Sequence, residues 1–189
     1  MYEGLKKRRS YYNIGKEIPV SQEEVIELVK NVVELVPDAF NNKSQSVVLA
    51  LGEHQDKLWD AIYDAFGGKV AREKIDSFKS GYGTVLYFID KKKVENLKEE
   101  FPAYSDRFDE WSHVANGMLQ INIWTELRNL GIGASIQHYN PVIDDVVKEM
   151  FDVPEDWILV GQMPFGKILE EPEPKEKDNV EERLKILKW

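Results

Sequence analysis

A chain of 189 residues, 42% hydrophobic and 31% charged, suits one soluble domain whose core needs neither metal nor disulfide. The net charge of −9 argues against a general nucleic-acid binder. No apolar run of roughly 18 residues marks a membrane helix. Cysteine is absent, which excludes disulfides and thiol chemistry and fits a reducing cytoplasm. The basic start, Met1 to Ser10, lacks the apolar stretch of a secretory signal.

Ser21 to Val36 reads as the first long helix. Ser21 and Glu24 have capping-box spacing, Val25, Leu28, Val29, Val32, Val33 and Val36 form its apolar stripe, and Pro37 stops it. Ser46 to Leu51 reads as a buried strand. Lys57 to Phe66 and Ala71 to Phe78 read as amphipathic helices, the first ended by Gly67 and Gly68. Val85 to Ile89 is unbroken apolar or aromatic, so Gly83 to Ile89 is expected as a fully buried strand. A charged helix follows over Lys91 to Glu100. The longest helix, about Asp109 to Leu130, carries two apolar stripes, and such a helix is buried all round or shared with a partner. Asn140 and Pro141 look like the cap and first residue of a helix to about Met150, and Trp157 to Met163 reads as a strand. From Ile168 to Glu182 the chain is acidic and shows no period. It ends with Leu184, Ile186 and Leu187 among charges, which suits docking on another subunit. Helices and strands mix without strict alternation, so the class is α+β rather than a doubly wound sheet.

Four segments have chemistry to offer. Arg8-Arg9-Ser10 sets two guanidiniums and a hydroxyl together. Such a cluster is most often a solvated chain end, yet it also suits a phosphate, whose oxygens match the forked donors of arginine. The loop Pro37 to Ser44 offers amides and hydroxyls to the edge of a planar heterocycle, or is simply a turn. Gly131-Ile132-Gly133-Ala134-Ser135-Ile136-Gln137-His138-Tyr139-Asn140-Pro141 lets something flat approach the backbone. It lacks the third glycine of a dinucleotide loop and follows a helix rather than a strand. In Pro174-Lys175-Glu176-Lys177, two lysines spaced by one residue face the same side of an extended segment and can reach one anion, or belong to a solvated tail. With no cysteine and no paired histidines at ligand spacing, no transition-metal site is expected.

Together and in this order, these segments resemble the nitroreductase family from about Leu5 to Leu187. Ala39-Phe40-Asn41 and Leu130 to Pro141 resemble its fatty-acid-repression-mutant-like branch. The resemblance implies a mixed central sheet flanked by helices in one FMN-binding domain, 1–189. It also implies a homodimer with an extended C-terminal arm, 167–189, exchanged between subunits. FMN would lie at the dimer interface. Arg8, Arg9 and Ser10 would hold its phosphate and ribityl chain, with Lys175 and Lys177 closing on the phosphate from the other side. Asn41 and Lys43 would lie near the pyrimidine edge, and Ile136, Gln137 and His138 would line the other flank, their backbone near flavin N5. Four positions depart from the family pattern: Tyr12 stands where many members carry Lys or Arg, Lys43 where Gln is common, and Gln137-His138 where bacterial members have Glu-Gly.

By the same resemblance the cofactor carries the reaction. NADH or NADPH would pass hydride to N5, and a nitroaromatic or quinone would then take the electrons, in ping-pong order, with no catalytic side chain required. Tyr11, Phe40, Tyr139 or the bulky residues of Phe101 to Trp111 would wall the substrate pocket. Two other roles remain open on sequence alone: a flavin-binding redox sensor with little turnover, and a non-flavin interaction protein on the same scaffold.

Overall fold

The N-terminal residues Tyr2–Lys7 form a short helix, α1, where sequence had suggested a loose end. The computed structural model describes residues 2–176 and 178–189. Gly4 lets α1 lie close on Thr125 and Asn129 of a later helix, since a Cβ there would stand 2.5 Å from the Thr125 methyl. The chain continues through β1 (Ile14–Gly15), α2 (Gln22–Leu35), β2 (Gln45–Leu51), α3 (Glu53–Ala65), α4 (Arg72–Lys79) and β3 (Gly83–Asp90). Then come α5 (Lys91–Glu100), α6 (Phe108–Asn129), β4 (Ile132–Ala134), α7 (Asp144–Phe151) and β5 (Trp157–Ile168).

The capping box forms as its spacing implied. The Glu24 amide donates to Ser21 Oγ at 3.2 Å, and the Ser21 amide donates to the Glu24 carboxylate at 3.0 Å. These contacts satisfy two of the amides that open α2. The helix stops before Pro37, whose ring disfavours helical backbone at the preceding residue.

The sheet runs β1-β5-β3-β2, with β4 on the other edge of β5. These strands pair antiparallel, and a parallel bridge joins Ser10 to Ala134. β3 lies between β2 and β5 and is buried on both faces, which explains its unbroken apolar run. Side chains alternate across a strand. Val85 and Tyr87 therefore meet α2 and α6, while Leu86 and Phe88 meet α3, α4 and α7. On the second face Trp59 is fully buried, and its indole donates to Thr84 Oγ1 at 2.9 Å. That hydroxyl donates in turn to Gln55 Oε1 at 2.6 Å. The 22 residues of α6 span about 33 Å. Asn116 in its middle donates to the Phe88 carbonyl at 2.9 Å, beside the bulge where β3 slips against β5.

Three expected boundaries move. α3 begins at Glu53, ahead of the expected Lys57, because Gly52 takes φ 57° and turns the chain straight out of β2. α7 begins at Asp144, not Pro141. Residues 140–143 form a turn that leaves Val142 exposed and buries Ile143. β5 runs on past Met163 to Ile168 through Pro164. The Pro164 carbonyl accepts from Ser135. A residue's N–H and C=O point the same way in a strand, so the missing N–H faces the loop after β4 and costs β3 no bond.

The chain leaves the sheet at Leu169, and beyond it only the 3₁₀ turn Val180–Glu182 is regular among the described residues. Val180, Leu184, Ile186, Leu187 and Trp189 are exposed. No helix among the described residues is long and apolar enough to cross a membrane.

Candidate functional site

Arg8, Arg9 and Ser10 meet the third segment through the edge of the sheet. Beside the Ser10–Ala134 bridge, the Ala134 carbonyl accepts from the Tyr11 amide at 3.0 Å and from the Trp124 indole at 3.1 Å. The Arg8 guanidinium lies over the Trp124 ring, 4.3 Å from its centroid. Burial, then the charge of Arg9, pushes the Arg8 pKa down from its ordinary value. Arg9 donates through Nη2 to the Glu173 carbonyl, while its Nε is buried without a partner. None of the ion pairs among the described residues involves Arg8, Arg9 or Lys175.

The arm is laid along this segment. The Leu169 amide donates to the Asn13 carbonyl at 3.1 Å, Asn13 to the Glu170 carboxylate at 3.3 Å, and the Tyr11 hydroxyl to Glu171 at 3.2 Å. Lys175 follows Glu173 by two residues, so the first and fourth sequence segments converge on one place. Lys177 lies outside the described residues.

Alternation sorts the residues of Ile136 to His138. The Gln137 backbone exchanges both of its bonds with Gln162, at 2.7 and 2.9 Å, and its side chain donates to Ser135 Oγ at 3.1 Å. Gln137 is therefore tied inward and 8% exposed. The amides of Ile136 and His138 point the other way, toward the edge where Ser10 runs, and bond nothing among the described residues. The exposed His138 ring lies over Gly161, where a Cβ would stand 3.5 Å from it. Gln162, fully buried, also accepts from the Tyr139 amide at 2.8 Å. Sequence reasoning missed Gln162. The available signal was a polar residue inside an otherwise apolar strand.

Asn41 and Lys43 sit in a strained turn, with φ of 56° at Phe40, 54° at Asn41 and 55° at Lys43. Left-handed backbone at non-glycine residues persists only where the surroundings impose it. Here the Asp38 carboxylate accepts from the Ser44 amide at 2.7 Å and the Ser44 hydroxyl at 2.6 Å, closing the loop. Lys43 donates to the Glu34 carbonyl at 3.0 Å, so its charge complements the C-terminal end of α2. Phe40, 49% exposed, stacks on Trp111 at 6.2 Å and 19°. The two rings, with Pro37, Asp38, Ala39, Val114 and Met118, line a groove of about 460 Å³. Of the aromatics named from sequence as pocket walls, Tyr11 and Tyr139 are buried at 2% and 8% exposure, and Tyr139 belongs to the α3–α7 core.

Within one chain the two halves stand apart. Gln137 bridges Gln162, which faces Leu86 and, beyond it, Val48. The Asn41 loop enters β2 three residues before Val48, at Gln45. Three strand spacings and three residues separate Gln137 from Gln45, roughly 15–20 Å.

The Nitroreductase family model matches residues 5–167, and this chain belongs to the nitroreductase family. Its likeness to the fatty-acid-repression-mutant branch is direct: nitroreductase FRM2 of Saccharomyces cerevisiae is 32% identical over 174 residues, 90% of this chain and 89% of that protein. Nitroreductase CinD of Lactococcus lactis, solved in complex with chloramphenicol, is 37% identical and superposes with a TM-score of 0.94 over 99% of both chains. It has also been solved with 4-nitrophenol and with nicotinic acid. A nitroreductase-fold protein from Exiguobacterium sibiricum, solved in complex with FMN, shares the fold at a TM-score of 0.76 and 14% identity, over 98% of this chain and 96% of that one.

Proposed function

We propose that this chain is an FMN-dependent oxidoreductase that works as a homodimer, taking hydride from NADH or NADPH and reducing nitroaromatic or quinone-type acceptors. The observation that carries the reading is the convergence of Arg8, Arg9, Ser10 and the Lys175 segment beside the free amides of Ile136 and His138. Cations without carboxylate partners in an acidic chain, one with a buried orphan N–H, suit the phosphate of a flavin mononucleotide. The two outward amides offer donors to the polar edge of its ring. Bound FMN supplies the chemistry, accepting hydride from the nicotinamide and handing it to the acceptor. The solved complex of a fold relative with FMN is consistent with this cofactor. A cytoplasmic setting, which a cysteine-free sequence fits, would supply NADH or NADPH.

The protein's own work is to bind and orient. Arg8 lies over the Trp124 ring, a contact that restrains its fork ahead of any ligand. In one chain Gln45, where the Asn41 loop enters β2, lies three strand spacings from Gln137, so in this reading the second copy contributes its Asn41 loop. This predicts complementation. Arg9→Ala and Asn41→Ala variants, each weak alone, are mixed and allowed to re-dimerise. Half of the dimers then hold one site with both parent residues, and activity should return to about a quarter of the parent level. Recovery no greater than the mean of the two variants would remove the shared site.

The groove lined by Phe40 and Trp111 adjoins the Asn41 loop and fits a flat aromatic acceptor, in keeping with the chloramphenicol and 4-nitrophenol complexes of CinD. Phe40→Ala should raise KM for a nitroaromatic about 3–10-fold, the usual worth of an aromatic pair, with kcat nearly unchanged. Steady-state kinetics with both substrates varied test the scheme as a whole. Donor and acceptor that exchange in one place give parallel double-reciprocal lines, and intersecting lines would mean both bind together.

A further inference from the structure

We propose that Tyr11, Arg128 and Glu171 form a latch that positions Lys175 over the cofactor phosphate and keeps the arm's carboxylates off the arginines. The inference rests on the FMN reading above. Tyr11 is 2% exposed, and its hydroxyl is the joint of the device. It accepts from Arg128 Nε at 3.1 Å and donates to the Glu171 carboxylate at 3.2 Å. The Arg128 guanidinium also lies 5.5 Å from the Tyr11 ring centroid. A cation on α6 thus reaches the arm through a buried phenol.

The arm poses an electrostatic difficulty that the latch resolves. Glu170, Glu171 and Glu173 immediately precede Lys175, so the segment that must bring a cation to an anion site carries three carboxylates with it. Any of them within about 4 Å of Arg9 would compete with a phosphate for its donors. In the structure Glu170 is taken by Asn13 and Glu171 by Tyr11. Arg9 meets only the backbone carbonyl of Glu173. Its Nε stays unpaired, and Lys175 is two residues further along a segment pinned at Leu169, Glu170, Glu171 and Glu173. Nothing in this relay touches the site proposed for the ring, so its effect should be confined to the phosphate.

The test compares FMN with riboflavin, which lacks the phosphate. Tyr11→Phe keeps the ring and removes the joint. Glu171→Ala changes an exposed side chain and leaves the fold intact. Each should raise the dissociation constant for FMN about 5-fold and leave that for riboflavin unchanged. Glu171→Gln, which keeps an acceptor for the phenol, should restore FMN affinity to within about 2-fold of the parent. In the flavin-free protein, Tyr11→Phe and Glu171→Ala should also speed proteolytic cleavage within 170–178, and Glu171→Gln should not. If FMN affinity is unchanged in both variants, or riboflavin weakens equally, the latch is wrong while the cofactor reading stands. A parent protein that takes up no FMN overturns both.

Discussion

Replacing Arg9 with alanine is expected to weaken FMN binding by about 10–100-fold and to leave riboflavin binding within about 2-fold. The magnitude follows from the role. A hydrogen bond to a charged group is worth about 1.5–3 kcal/mol, and each 1.4 kcal/mol is a factor of ten in affinity. Arg9 has a buried Nε with no partner and an Nη2 already held by the Glu173 carbonyl, so its fork is fixed before any ligand arrives. Less entropy is then lost on binding than with a free lysine. Quenching of flavin fluorescence measures both constants. Equal losses for FMN and riboflavin would show that Arg9 supports the ring or the fold instead of the phosphate.

Gly166→Ala should cost about 3 kcal/mol or more of stability and lower the melting temperature by about 6–12 °C. Gly166 lies in β5 where the N-terminal segment crosses it. A Cβ there would collide with the carbonyl oxygen of Gly15 and stand 2.9 Å from the Tyr82 amide nitrogen. Both obstacles are backbone, so no side chain can turn aside to make room. The neighbouring Gly133, paired with Gly166, is crowded too: a Cβ there would lie 2.7 Å from Ile168 and 3.0 Å from Tyr11. These two glycines let the arginine-bearing segment lie on the sheet edge. Thermal melting of the flavin-free protein checks the prediction, and an unchanged midpoint would mean that β1 and β5 separate at little cost.

Elements with a strong local signal were legible in the sequence. Ser21, Glu24 and Pro37 mark both ends of α2, and the unbroken run Val85 to Ile89 announces a strand buried on both faces. The missed features depend on partners distant in the chain. α1 has little local signal, and it packs against Thr125 and Asn129 of α6 through Gly4. The full length of β5 was hidden by Pro164, which is harmless only because its missing donor faces away from β3. At the candidate site, Arg8 to Ser10 and the Lys175 segment stood out by charge and order. The relay through Arg128 joins positions 117 residues apart, and no spacing rule could reveal it. Lys43 stood out by its place in the loop, and its amine also donates to the end of α2, a contact no spacing rule announces. Within Ile136 to His138, alternation ties the Gln137 side chain to Ser135 and leaves the amides of Ile136 and His138 outward, a sorting that depends on pairing with β5.

The proposed function requires that this chain bind FMN and pass hydride through it. An anaerobic titration of the FMN-supplemented protein with NADH, and then with NADPH, tests it most directly. At least one nucleotide should bleach the flavin absorbance stoichiometrically, and 4-nitrophenol or a quinone should reverse the bleaching. A bound flavin that neither nucleotide bleaches, or a protein that retains no flavin, would contradict it.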